Sequence, residues 1–353
     1  LFFSALSYAK EKEKGYDYRK IEQEAYDFLK TKLVSKEGGV FSNYYTDYPI
    51  DPHDGQNHEI LSESIGLYLE YLYFSNRKRE FQKEVNFLNK YLIRPSGLIS
   101  WKINEKGKTE NSSATIDDLR ITRYLILAGK SWGKSPYIRL GKKIGDADLK
   151  YCTQDGIILD GASWEKSFFK EKIYKNLNVG TTLSYIDLYT IRLLSQIDRK
   201  NLNTWKDIFD NGLIIIYHGF DKNHFSIKYN VRKKRYIRKK QADYDIINTM
   251  TILHLTEIGL SPIYAVNYFD PEDTVMDDVA SYALLVRIFL NLDDIETATG
   301  FLHKMIKFII PKGPQKGAFG YYIKKKRRYR VYAFDNLLAL SALRLYQNYT
   351  KER

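Results

Sequence analysis

Asn111-Ser112-Ser113-Ala114-Thr115-Ile116-Asp117-Asp118-Leu119 is polar at its start. It then runs into Arg120-Ile121-Thr122-Arg123-Tyr124-Leu125-Ile126-Leu127-Ala128, a helical stretch that is apolar on more than one face. A helix on the surface of a globular protein keeps one polar face. A helix apolar on several faces is covered on both sides, as in an inner ring of helices. Residues 333–343 share this property.

Helical spacing extends in both directions from this stretch. Ile21, Ala25, Phe28, Leu29 and Leu33 mark one helix over 19–34. Ile60, Ile65, Leu67, Tyr68, Tyr71 and Leu72 mark another over 59–74, and Phe81, Val85, Leu88 and Leu92 a third over 80–93. Further helices are expected over 116–129, 135–151, 182–197, 203–216, 243–258, 276–291, 294–309 and 333–349. Pro95-Ser96-Gly97, Gly129 to Gly133, Gly259 to Pro262 and Pro311 to Gly317 separate them. The pattern is all-α, with about ten to twelve helices in hairpins and minor β-hairpin insertions. Either an (α/α) barrel or an open helical solenoid fits. No Pro-, Ser- or Gly-rich linker divides the chain, so residues 1–353 read as one domain.

Composition narrows the function. The 353 residues are 44% hydrophobic and 28% charged, which describes a globular chain. No run of about 18 apolar residues is present, which leaves no spanning helix. The single cysteine, Cys152, excludes a disulfide framework and a cysteine-built zinc site. The six histidines show no metal-ligand spacing, and no phosphate loop or nucleophile elbow occurs. The expectation is neither a metal nor a cofactor. Residues 1–14 are read either as the remnant of a signal or anchor segment or as an N-terminal helix.

The net charge of +13 is local. Residues 231–240 and 323–330 carry seven and six basic side chains, which together equal the whole excess. Alternating aromatic and apolar residues flank both runs, the pattern of a β-hairpin with a charged tip. Such a tip is either a solvated turn or a site for a polyanion. No nucleic-acid-binding motif accompanies it.

The acids carry more information. Glu63 lies between Ser62 and Ser64 near a helix start. Asp117 and Asp118 open a second apolar helix, and Asp245, in Ala242-Asp243-Tyr244-Asp245-Ile246-Ile247-Asn248, opens a third. If these are ring helices, their N-termini gather at one end in an acidic, tyrosine-lined cleft. Paired carboxylates there suit glycoside hydrolysis, in which one acid protonates the leaving oxygen and a base activates water.

In order along the chain, these segments resemble glycoside hydrolase family 8. The Ser-Glu-Gly-x-Gly-Tyr-Gly motif of that family is similar to Ser62-Glu63-Ser64-Ile65-Gly66-Leu67-Tyr68. Ser96-Gly97-Leu98-Ile99-Ser100-Trp101-Lys102-Ile103 resembles a second family stretch, and Ser112-Ser113-Ala114-Thr115-Ile116-Asp117-Asp118-Leu119 resembles Asn-Ser-Ala-Thr-Asp-Gly-Asp-Leu. Trp132-Gly133, Leu183-Ser184-Tyr185 and Tyr244-Asp245-Ile246-Ile247-Asn248 follow in family order. The departures are Ile116 for the first Asp of Asp-x-Asp, Asn248 for the Arg after the base motif, and Ser64 and Tyr68 for glycines. They resemble the divergent, exopolysaccharide-associated PssZ/YdaJ type.

The resemblance implies an (α/α)6 barrel and inverting hydrolysis of a β-linked, chiefly β-1,4, polysaccharide. It implies Glu63 as general acid, Asp245 as general base, and Asp118 at the sugar beside the cut. Trp101, Tyr185, Tyr244, Asp117 and Asn248 become candidate substrate-binding residues. An inverting pair needs its carboxyls about 6.5–9.5 Å apart to hold a water. The acid needs its pKa raised by burial or a nearby carboxylate, for which Asp118 is the candidate. The alternative is a catalytically impaired glycan-binding protein, motivated by Ile116 and Asn248. The expected partners are a polysaccharide substrate and an anionic cell surface or membrane met through 231–240 and 323–330, with no specific nucleic acid. The chain is expected to act as a monomer, exported and extracellular or held at the cell surface.

Overall fold

The computed structural model describes residues 15–44, 59–166, 171–175, 180–221, 224–238, 245–262, 266–267, 269–324 and 328–351. Eleven helices are seen among the described residues. They are α1 (Tyr18–Phe28), α2 (Ser62–Phe74), α3 (Lys78–Phe87), α4 (Thr115–Ser131), α5 (Ser135–Tyr151), α6 (Leu188–Ile197), α7 (Leu202–Gly219), α8 (Asp245–Glu257), α9 (Val279–Asn291), α10 (Ile295–Ile306) and α11 (Ala333–Lys351). Helices α2, α4, α6, α8, α9 and α11 each pack against the next, and α11 returns to α2, closing a ring of six. Helices α1, α3, α5, α7 and α10 lie outside it, on α11, α2, α4, α6 and α9. The architecture is the (α/α)6 barrel, and closure of the ring decides against the open solenoid.

Burial follows from this layering. Every residue from Thr115 to Ile126 in α4, and from Val279 to Leu290 in α9, is buried. A ring helix has an outer helix on one side and the ring interior on the other, so no solvated stripe survives. The outer helix α1 buries only Glu22, Ala25, Tyr26 and Phe28.

The helix expected over 182–197 starts later, at Leu188. Leu183–Tyr185 form a separate single turn, and Asp187 caps α6 by accepting the Thr190 N–H. Asp278 caps α9 in the same way through Ser281, and Asp294 caps α10 through Thr297.

Four outer-to-inner crossings fold alike. Each closes a short antiparallel turn, bridging Val34 to Val40, Ile93 to Ile99, Thr153 to Ile158 and Ile309 to Phe319. Each turn contains a glycine with positive φ: Gly39 (79°), Gly97 (97°), Gly156 (69°) and Gly317 (86°). Glycine enters this left-handed region without the Cβ clash that other residues meet. These turns return the chain to the start of a ring helix. A belt of bridges ties the returns together: Phe41 to Ile60, Ile60–Leu61 to Lys102–Ile103, Ser112 to Ser163, and Asn43 to Tyr332.

Both basic runs form hairpins, as expected. Lys228–Asn230 pairs with Arg235–Ile237, and Tyr321–Ile323 with Arg328–Arg330. Residues 239–240 and 325–327 lie outside the described residues, as do 1–14.

Charged side chains fill part of the ring interior. Arg123 of α4 meets Asp187 and Glu257, at 2.7 Å in the second pair. Arg287 of α9 meets Glu257 at 3.3 Å and Glu70 of α2 at 2.8 Å, and the Tyr124 hydroxyl donates to Glu70 at 2.8 Å. The network joins five ring helices across the barrel. Removing one partner of a buried ion pair costs about 3–5 kcal/mol, because a charge is left without compensation.

Candidate active site

Each ring helix begins with an acid. Glu63 stands in the first turn of α2, and Asp117 and Asp118 in the first turn of α4. Asp187 caps α6, Asp245 opens α8, Asp278 caps α9, and Asp335 stands in the first turn of α11. The exposed N–H groups and dipole of a helix start favour an anion. The ring gathers several of these starts on one face.

Glu63 is half-buried there. Burial and the neighbouring charge of Asp117 push its carboxyl up to about 7, partly opposed by Arg120. Asp117 is buried and anchored three ways. It accepts the Ser62 hydroxyl at 2.7 Å and the Glu63 backbone N–H, and it pairs with Arg120 at 3.3 Å. In effect Asp117 caps α2 from the next ring helix. Gly66 makes room for this arrangement, because a Cβ there would stand 3.2 Å from the Arg120 side chain.

The nearby carboxylate expected at Asp118 is instead Asp117. Successive helical residues point about 100° apart, and Asp118 turns away toward α5. It is fully buried beside Asp148 and Cys152, and burial with the facing Asp148 charge raises its pKa. Asp148 is itself raised to about 8 by burial.

Trp101 is half-buried, and its carbonyl accepts the Ser62 N–H at 2.9 Å, next to Glu63. The Lys102 ammonium lies 4.8 Å from its ring centre. Tyr185 is half-buried; burial and the charges of Asp117 and Glu63 raise its hydroxyl pKa. Asn248, a candidate substrate-binding residue, is buried, and its Oδ1 accepts the Phe225 N–H at 2.7 Å. Asp245 begins α8, and Tyr244 lies outside the described residues. Ile116, where the resemblance expects an acid, is buried.

Four side chains at this face escaped the sequence reading. Arg120 is one. Asp335 is another: burial and the charge of Asp278 push it up to about 7, with Glu63 also contributing. Asp278 and Tyr321 complete the group. The Tyr321 hydroxyl accepts the Val279 N–H at 2.7 Å and also meets Asp335. The missed signal was the one already used for Glu63, an acid at the mouth of an apolar helix, here at Asp278 and Asp335.

Asp187, His254 and Glu257 bring ligand-type atoms within 4.8 Å of one another. The cation among them is the Arg123 guanidinium, bonded to Asp187, Glu257 and Thr190. An apolar pocket of about 420 Å³, lined by Leu213, Tyr217, Leu255 and Pro262 among others, contains none of the site acids.

No family model matches the chain. A solved structure described as a novel alpha-amylase from Clostridium perfringens is 26% identical, with a TM-score of 0.78 over 92% of this chain and 98% of that one. PssZ from Listeria monocytogenes is 18% identical, with a TM-score of 0.64 over 90% and 93% of the two chains. The family 8 endoglucanase Cel10 from Klebsiella pneumoniae is 15% identical, with a TM-score of 0.60 over 93% and 99%.

The chain has the family 8 glycoside hydrolase fold. It is also similar to the PssZ/YdaJ type: YdaJ of Bacillus subtilis, a candidate lipoprotein, is 30% identical over 138 residues. That match takes in 39% of this chain and 35% of YdaJ. No described helix of this family 8-like chain is long and apolar enough to cross a membrane.

Proposed function

We propose that the protein is an inverting endo-glycosidase acting on a β-linked, chiefly β-1,4, bacterial polysaccharide. The observation that carries this reading is Glu63, a half-buried carboxyl raised to about 7 at the face where the ring-helix acids gather. A carboxyl with that pKa keeps its proton near neutral pH, as a general acid must.

In this reading Glu63 gives its proton to the glycosidic oxygen as the bond to the anomeric carbon breaks. Asp245 takes a proton from a water that attacks the opposite face, and the product anomer is inverted. Asp117 positions Glu63 and maintains its proton. Trp101 and Tyr185 offer faces to the sugar rings, with Tyr244 a further candidate. Asp118 acts from behind the site, through its place on α4. Residues 1–353 work as one domain and one monomer, exported and held at the cell surface; the likeness to a candidate lipoprotein supports that location.

An α-linked glucan is the second substrate reading, because the Clostridium perfringens neighbour is described as an alpha-amylase. Product formation from β-1,4-glucans, an exopolysaccharide and starch tests both, with Glu63→Gln as control. Shorter oligosaccharides of inverted configuration, absent with Glu63→Gln, are expected. No cleavage of any glycan by a folded protein that still binds one would replace hydrolysis with the glycan-binding alternative.

A further inference from the structure

The two basic hairpins share one design. In the first, Tyr229 stands directly opposite Tyr236, with ring centres 5.0 Å apart. In the second, Tyr322 stands opposite Tyr329 at 5.2 Å. Arg232, Lys233, Lys234 and Arg235 are exposed on the first hairpin and Lys324 on the second, and Tyr322 is 53% exposed. The first hairpin therefore pairs flat aromatic faces with a group of cations, and the second pairs them with Lys324.

Each hairpin is tied to residues of the candidate active site. Lys228 of the first pairs with Asp160 at 2.6 Å, and the charge of Asp160 reaches Tyr185, as do those of Asp117 and Glu63. The same strand pairs with Thr181–Thr182, just before Tyr185. Tyr321 of the second meets Asp335, whose charge environment includes Glu63. In the chain the first hairpin precedes α8, which Asp245 opens, and the second precedes α11, which carries Asp335.

We propose that these hairpins form the rim of the cleft and select an anionic glycan, one bearing carboxylate or phosphate groups. The inference rests on the glycan-directed reading of the site and names the substrate class. Tyrosine faces stack on sugar rings, and lysine and arginine at the rim draw in the negative groups along the polymer. Two acids of the cleft floor are compensated by cations: Asp117 pairs with Arg120, and Asp160 with Lys228. A membrane would be served by exposed apolar residues at the tip, whereas the first tip presents Arg232, Lys233 and Lys234 beside a buried Val231.

The test is affinity electrophoresis of the full chain carrying Glu63→Gln, so that the polysaccharide in the gel survives. Carboxymethyl cellulose should retard the protein more than hydroxyethyl cellulose at low salt. The advantage should disappear near about 0.5 M salt, where screening is strong. Adding Lys233→Gln, Lys234→Gln and Lys324→Gln should weaken the carboxymethyl cellulose interaction at least about fivefold. Equal retardation by the two polymers, or an unchanged triple variant with an unaltered melting curve, would overturn the proposal. Stronger, hairpin-dependent retention on phosphatidylglycerol vesicles or duplex DNA would reassign the hairpins to that partner. Charge-selective binding without any cleavage by the wild type would remove the hydrolysis reading and leave this one. Cleavage without charge preference would do the reverse.

Discussion

Asp117 holds Glu63 in two ways at once: it accepts the Glu63 backbone N–H, and its charge raises the Glu63 carboxyl. One residue of α4 thereby fixes where Glu63, the proposed proton donor of α2, stands and helps to raise its pKa. Replacing Asp117 with Asn should retain a polar cap but remove the charge. Glu63 would then ionise more easily, and the freed Arg120 would favour the same outcome. The alkaline limb of the pH–rate profile should move to lower pH. An unmoved limb would show that burial alone sets the Glu63 proton.

Glu63→Gln removes the transferable proton while preserving shape. A general acid contributes about 10²–10⁴-fold to rate, so kcat should fall by that order while the melting curve stays close to wild type. Retained cleavage in this variant would take the acid role from Glu63.

Stability should decline on the alkaline side. Glu84 and Asp148 are buried and raised to about 8, and Asp335 to about 7. A carboxyl that binds its proton more tightly when folded stabilises fully below its unfolded pKa. That contribution is lost as pH rises through the folded pKa. The melting temperature should therefore fall between about pH 5 and pH 8. Asp118→Asn, which removes a buried carboxyl that burial and the Asp148 charge hold above the usual range, should flatten that fall; differential scanning calorimetry across this range decides the matter.

The interior network behaves in the opposite sense. Burial alone would raise Glu257, yet Arg123, His254 and Arg287 hold it well below the usual range. Its contribution is present above the unfolded pKa and is lost as pH falls toward the folded one. Arg123→Met should cost about 3–5 kcal/mol at neutral pH, measured by urea unfolding, because Asp187 and Glu257 would lose their main cation. A loss below about 1 kcal/mol would mean that water compensates these acids.

The ring helices were legible because burial on two faces erases the polar stripe, and that erasure is written in α4 and α11. The basic hairpins were legible from alternation around the charged runs. The direction of each acid was not. Asp117 and Asp118 are adjacent in sequence, and only the packing of α5 shows that Asp118 faces Asp148 while Asp117 faces Glu63. Asp278 and Asp335 carried the same local signal as Glu63, yet the approach of Asp335 to Glu63 comes from ring closure, which joins residues far apart in the chain. The four like crossings escaped because they share a glycine conformation and a backbone bridge rather than a side-chain pattern.

The charge network inside the ring also constrains how a long polymer travels. With Arg123, Glu257, Arg287 and Glu70 knotted between the helices, the barrel has a floor and no bore. A sugar chain cannot be drawn through it like thread through a bead. In the endo-glycosidase reading proposed above, it settles onto the open end of the ring, is cut where it lies, and releases both new ends the way it came.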